Sequence, residues 1–224
     1  MTPTTHDTSP WLGLFPGDVA LAVGDPAADS EALFPEEAAL LTRAVEKRQR
    51  EFKKGRECAR HALKDVGGPH VAIPQGPSRE PIWPAGFVGS ISHTHGLCAA
   101  VAARSTGYLA VGVDLEPAES IEPGLWPRIA GDGEARAFQR AAAAAGLSAG
   151  AAMRVLFSMK ECFYKCQHEV SRTFMGFHDA SVLLDGSAFH VRFEKDIAAF
   201  TRGTVLSGTW REAEGFFMTA MVLR

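Results

Sequence analysis

The chain has 224 residues, 46% hydrophobic and 22% charged, with a formal net charge of −3. That is the composition of an ordinary globular protein with a sizeable core, in one large domain or two small ones sharing an interface. It excludes a disordered or membrane-embedded chain and speaks against a general nucleic-acid binder, leaving room only for a local basic patch.

The first dozen residues read as a flexible end, and DVALAV (18–23) then has the length of a short strand. From Pro35, PEEAALLTRAVEKRQREFKKGRECARHALKDVG reads as one or two helices, opened by acidic residues and closed by Gly67 and Gly68, with Gly55 marking a break or bend. Residues 74–86, rich in proline and glycine, are a structured loop. FVGSISHTHGLCAAVAA follows as two strands around a polar turn at Ser92, His93, Thr94 and His95, and YLAVGVDLEP as a buried strand stopped by Pro117. Helices are expected over Glu134 to Ala145 and Ala149 to His168. SVLL, the alternating stretch around Val191, TVLSGTW and FFMTAMVL then form an antiparallel C-terminal sheet. Helices and antiparallel strands without βαβ alternation make the class α+β.

No apolar run reaches the roughly 18 residues of a bilayer span, and the N-terminus lacks the basic start and apolar core of a signal peptide, so a cytoplasmic protein is expected. Cys58, Cys98, Cys162 and Cys166 show no CxxC spacing and fit a reducing compartment, the last two reading as small residues of a buried helix stripe.

Asp114 and Glu116 stand two apart at the end of the buried strand, where period-2 geometry puts both carboxylates on one face. In FSMKECFYKC, Glu161 and Lys165 are spaced i,i+4 and share a helix face, with Lys160 alongside and apolar residues around them. Three carboxylates suit a hard cation with oxygen ligands, magnesium above all, and the lysines would take phosphate oxygens that the metal does not reach. Along the basic helix, Arg43, Lys47, Arg50, Lys53, Lys54, Arg60 and Lys64 read mostly as a solvated face. Arg48 and Arg56, two turns apart, can approach one ligand from one side. His93 is the natural neutral-pH partner for another phosphate, and His95 reads as loop surface. A rival set, His93 and His95 with Asp114 or Glu116, has ligand types for zinc or iron but lacks a further histidine, so it ranks below the all-oxygen site. Neither GxxxxGK[ST] nor a GxGxxG after a strand is present.

These blocks resemble the Sfp-type phosphopantetheinyl transferases, particularly the compact enterobactin-synthase and actinobacterial branch. The likeness runs from about residue 35 to the end and rests on KRQREFKKGRECAR, GPSREPIWPAGFVGSISHT, VGVDLEP and FSMKECFYK in the family's order. It implies two pseudo-symmetric α+β halves, each a small antiparallel sheet with a packed helix, divided as 1–106 and 107–224 with the active site between them. It implies magnesium-dependent transfer of the 4′-phosphopantetheine arm of coenzyme A to a carrier-protein serine, by a monomer. Asp114, Glu116 and Glu161 would bind metal, Lys160 and Lys165 the diphosphate, and Arg48, Arg56 and His93 the remaining phosphate and nearby nucleotide, with Ser92 a weaker contact. Glu161 would also accept the serine proton. Gln75 stands where relatives often carry lysine, which leaves a basic contact from that loop to Arg79 or to none. Carriers of this kind present an acidic helix around the modified serine. Another metal-dependent phosphohydrolase and a non-catalytic carrier-binding relative are the competing classes.

Overall fold

The computed structural model describes residues 7–42 and 44–224; Arg43 of the basic segment and the first six residues of the expected flexible end lie outside them. From Ser9 onward that end is docked rather than loose. A 3-10 turn over Ser9–Trp11 buries the Trp11 side chain, and Arg211 Nη1 donates to the carbonyls of Pro10 and Leu12 at 2.9 and 2.7 Å.

In chain order the elements are β1 (Ala20–Gly24), α1 (Pro35–Ala38), α2 (Glu46–Asp65), β2 (Phe87–Thr94), β3 (Leu97–Arg104), β4 (Ala110–Pro117), α3 (Trp126–Ile129), α4 (Asp132–Ala143), α5 (Ala149–Ser171), β5 (Ala180–Asp185), β6 (Ala188–Phe193), β7 (Val205–Ala213) and β8 (Phe216–Leu223). The strands form two antiparallel sheets, ordered β1-β3-β2 and β4-β8-β7-β6-β5. Helix α2 packs on the first and α5 on the second, so the α+β class with a long helix against each sheet holds.

Two local expectations change. Gly55 does not break α2, which runs straight through it; a Cβ there would lie 3.1 Å from Ile91 Cγ2, so its smallness serves the packing of α2 on β2. Ser92, His93 and Thr94 are strand residues rather than turn residues, because the β2–β3 register closes at Thr94 opposite Leu97 and leaves only His95 and Gly96 to reverse the chain.

The charged face of α2 divides. Lys47, Arg48, Arg50, Lys53 and Lys64 are exposed as expected, but Lys54, Arg56 and Arg60 are buried with Glu51 and Glu57. The segment following β1 folds over them and supplies partners. Lys54 Nζ donates to Asp29 O at 2.7 Å and to both oxygens of Glu57, while Arg60 Nη1 meets both oxygens of the fully buried Glu37 at 3.1 Å. Burying such charges is tolerable only when they are paired in this way.

The two sheets meet where β2 runs beside β4 without a backbone ladder. Serine hydroxyls replace carbonyls there: Ser90 Oγ accepts the Val113 N–H and Ser92 Oγ the Leu115 N–H, each at 3.2 Å. On its other edge β4 pairs with β8, Asp114 opposite Thr219. Helix α5 crosses β4 so closely that a Cβ on Gly112 would lie 2.5 Å from the Cys162 carbonyl oxygen. Met153, Leu156, Met159 and Phe163 of α5 pack with Phe189 and Phe193, each such buried side chain contributing about 1.5–3 kcal/mol. A Gly112→Ala variant is therefore expected to lose about 1–3 kcal/mol. It should also lose activity, because α5 must lift off the strand that carries Asp114. Urea denaturation and a turnover assay check this; a wild-type midpoint would mean that α5 slides freely over β4.

Candidate active site

Strand β4 and helix α5 bring the predicted acidic residues to one side of the seam. Asp114, 4% exposed, is held through Oδ1, which accepts from Ser92 Oγ at 2.9 Å and from Lys165 Nζ at 2.7 Å. Lys165 Nζ also reaches the Val113 carbonyl at 3.2 Å. Burial works against the charge on Lys165, but Asp114 and Glu161 outweigh it and raise its pKa. The other carboxylate oxygen of Asp114, Oδ2, is buried with no hydrogen-bond partner. Glu116 Oε2 accepts from Arg154 Nη1 at 3.0 Å, yet burial, reinforced by repulsion from Asp114, pushes the Glu116 carboxyl up to about 7. Glu161 is raised as well, by burial first, with Lys165 opposing the shift and Asp114 adding to it. The carboxylates thus feel one another, although among the described residues no three His, Cys, Asp or Glu side chains are grouped as a metal site requires. Organic cations draw them apart, Lys165 on Asp114 and Arg154 on Glu116.

Beside this cluster lies the basic one. Arg48 Nη1 meets His93 Nε2, and His93 Nδ1 lies 3.4 Å from Glu51 Oε2. Burial lowers the His93 pKa and Arg48 lowers it further. Arg56 is anchored rather than free: its Nε donates to Ile73 O at 2.8 Å and its guanidinium sits 4.3 Å over the Phe52 ring. Desolvation brings its pKa down to about 10, with Glu37 acting against the shift. Arg48, Arg56, Arg79 and His93 line one cavity of about 110 Å³. A second cavity, of about 190 Å³, is lined by Arg79, Glu80, Glu161, Tyr164 and Lys165; the two share Arg79, Pro81 and Ile91. Arg79 takes a left-handed backbone, φ +69°, and Gln75 Nε2 donates to its carbonyl at 3.1 Å, so the glutamine braces the turn that presents the arginine.

The structure does not bring every predicted residue to this groove. On α5, Lys160 lies about 140° around the helix from Lys165, given roughly 100° per residue. Its Nζ is buried and donates to Ile129 O, Phe177 O and Glu134 Oε2 at 3.0, 2.7 and 2.8 Å, which ties α3, α4 and the Phe177 segment to α5. Ser92 Oγ donates to Asp114 Oδ1 and accepts the Leu115 N–H, so its hydroxyl is engaged within the seam. His95 is exposed. All four cysteines are buried thiols, burial pushing Cys58 and Cys166 up to about 12, in keeping with packing. Sequence reasoning passed over Arg154, although its spacing of seven from Glu161 puts both within about 20° on one helix face. It also passed over Glu134, for which no local signal existed. On the far side of Glu161 a cavity of about 160 Å³ is walled by Phe163, Tyr164, Met175 and Phe177, with Lys160 at its edge.

Comparison with known proteins gives the family. Residues 36–103 match the family model of the 4′-phosphopantetheinyl transferase N-terminal domain, and residues 110–212 that of the 4′-phosphopantetheinyl transferase superfamily. The chain is 34% identical over 199 residues to 4′-phosphopantetheinyl transferase Npt of Nocardia iowensis, covering 84% of this chain and 87% of the relative. It is 34% identical over 206 residues to 4′-phosphopantetheinyl transferase PptT of Mycobacterium tuberculosis, covering 84% and 85%. Enterobactin synthase component D of Escherichia coli is 30% identical over 185 residues, covering 80% of this chain and 82% of the relative. With both halves of the chain matched and its ionisable groups gathered at the seam between two sheets, the protein belongs to the 4′-phosphopantetheinyl transferase superfamily.

Proposed function

We propose that this enzyme transfers the 4′-phosphopantetheine arm of coenzyme A to a serine of apo acyl or peptidyl carrier proteins, releasing adenosine 3′,5′-bisphosphate. The carrying observation is the run of Arg48, Arg56, Arg79 and His93 along one cavity that shares walls with the cavity of Glu161 and Lys165. Coenzyme A has that charge layout, a lone phosphate and a diphosphate on one ribose. The lone 3′-phosphate takes the arginine and histidine cluster, whose partly desolvated cations gain most from an anion. Lys165 takes the diphosphate, and the apolar cavity beyond Glu161 gives the arm a place. The working division of the chain is then 1–106 and 107–224, with ligand groups from each. Because both sets lie in one chain, a monomer suffices, working in the cytoplasm where coenzyme A and apo carriers are found.

Three carboxylates are the donor chemistry that magnesium takes, although the described residues do not group them as a finished site. Asp114 Oδ2 is a buried carboxylate oxygen without a partner, and Glu116 and Glu161 are carboxylates whose charge burial and Asp114 disfavour. Asp114, Glu116 and Glu161 would hold the ion. When bound, it supplies positive charge to the diphosphate oxygens.

The chain's own groups supply the rest. Glu161, whose pKa burial raises, takes the proton from the carrier serine. The serine oxygen bonds to the phosphorus that carries the arm, and the bond from that phosphorus to the bridging oxygen breaks. The bridging oxygen leaves on the 5′-phosphate of adenosine 3′,5′-bisphosphate. Lys165, kept charged by Asp114 and Glu161, meets the charge that gathers on the diphosphate. Ser92 holds Asp114 in place throughout. Incubating the protein with coenzyme A, magnesium and an apo carrier should raise the carrier's mass by one arm per serine. Nucleotide release without a carrier would instead indicate a phosphohydrolase.

A further inference from the structure

The two carboxylates of β4 are held in the same manner, each by one oxygen. Asp114 Oδ1 takes the hydrogen bonds of Ser92 and Lys165, and Oδ2 takes none. Glu116 Oε2 takes the bond from Arg154 Nη1 at 3.0 Å, and Oε1 accepts none among the described residues. Lys165 has a share in the transfer and Ser92 in the seam, whereas Arg154 stands outside both.

The Arg154 guanidinium is oriented before it meets Glu116. Its Nε donates to the Glu119 carbonyl at 3.3 Å, in the segment that follows β4. That segment is itself pinned: the Ala118 N–H donates to Gly215 O at 2.8 Å and the Ile121 N–H to Gly150 O at 3.1 Å. Gly150 lies so close beneath it that a Cβ there would be 2.6 Å from Ser120 Cβ. The main chain thus aims the guanidinium, and the guanidinium aims the carboxylate. A planar fork with separate N–H groups can serve a carbonyl and a carboxylate at once in fixed directions, which a lysine ammonium cannot. Asp114 repels Glu116, so without this holder the Glu116 side chain has reason to swing off the pair. The pair is too close to the surface to matter much for stability, with side chains 23% and 17% exposed, and its worth is in direction.

We propose that Arg154 is a positioning residue for the metal: by holding Glu116 Oε2 it presents Oε1 beside the free Oδ2 of Asp114 as a ligand. This rests on the assignment of Asp114, Glu116 and Glu161 as magnesium ligands. A group that hydrogen-bonds a ligating carboxylate typically contributes about 10–100-fold to metal affinity.

Arg154→Gln is therefore expected to weaken magnesium binding, measured by calorimetry with the metal alone, by about tenfold. The magnesium concentration for half-maximal transfer should rise in parallel, while the coenzyme A Kd measured without metal stays within twofold. On a Glu116→Gln background the same substitution should change the magnesium Kd by less than twofold, because the carboxylate through which Arg154 acts is gone. Arg154→Lys, which keeps the charge without the fork, should recover only part of the loss. A magnesium Kd within twofold of wild type for Arg154→Gln overturns the proposal. Tighter binding does so as well, since it would make Arg154 a competitor of the ion for Glu116. An equal loss on the Glu116→Gln background, or full recovery with lysine, would leave a general structural or charge effect and rule out positioning. If the wild-type protein itself binds no magnesium, the metal assignment falls and the proposal with it; wild-type binding that Arg154→Gln leaves intact removes the proposal alone.

Discussion

A Glu161→Gln enzyme is expected to bind coenzyme A and melt at the wild-type temperature but to transfer the arm about 10²–10⁴-fold more slowly, the usual contribution of a positioned base. The substitution keeps the shape and one acceptor oxygen on α5 while removing the capacity to take a proton. It also removes a negative charge that burial and Asp114 already oppose, so the fold has little to lose. Single-turnover transfer with saturating carrier, alongside calorimetric binding of coenzyme A, separates the two effects. Wild-type turnover with intact binding would take Glu161 out of the proton transfer and reduce it to an electrostatic neighbour of Lys165.

The largest loss of stability should come from a residue far from the reacting atoms. Glu37 is fully buried, holds Arg60 Nη1 through both oxygens at 3.1 Å, and accepts the Ile73 N–H at 2.9 Å. Glu37→Ala leaves the Arg60 guanidinium, 1% exposed, facing only the partly exposed Glu31. Breaking one partner from a buried pair costs about 3–5 kcal/mol, because the desolvated charge remains uncompensated. Denaturant unfolding measures this, and a loss below about 1 kcal/mol would mean that water enters and rescues Arg60. The damage should spread to ligand binding. The Ile73 carbonyl that orients Arg56 belongs to the residue whose amide Glu37 holds, so affinity for coenzyme A should fall in any variant that still folds.

How far the sequence discloses this molecule depends on the range over which each feature is decided. Asp114 and Glu116 at a strand end, and Glu161 with Lys165 one turn apart on a helix, follow from periodicity, which reports faces. Partners are another matter. Arg154 pairs with Glu116 across 38 residues and Lys160 with Glu134 across 26, choices made by packing that no local pattern records. Lys160 shows the consequence: its neighbours in FSMKECFYK place it beside the site, and one helical step turns it into the core, where a lysine persists only because three acceptors await it. The charges of α2 mislead for the same reason, since a stretch with Asp29, Glu31 and Glu37 folds back to cover them. His93 reads from the sequence as a turn residue, whereas it lies on β2. A two-residue reversal ending in glycine, His95-Gly96, was the available signal for the shorter turn.

The hydroxyl bonds along β2 and β4 have a further consequence. A backbone ladder is the same whatever the side chains, so mutation can scarcely adjust it. Here the junction passes through Ser90 and Ser92, two ordinary codons, and Ser92 also grips Asp114. The spacing between the basic cluster beside β2 and the acidic groups of β4 is thus written in replaceable letters. Exchanging a single serine gives selection, or an engineer, a direct means of retuning it without rebuilding either sheet.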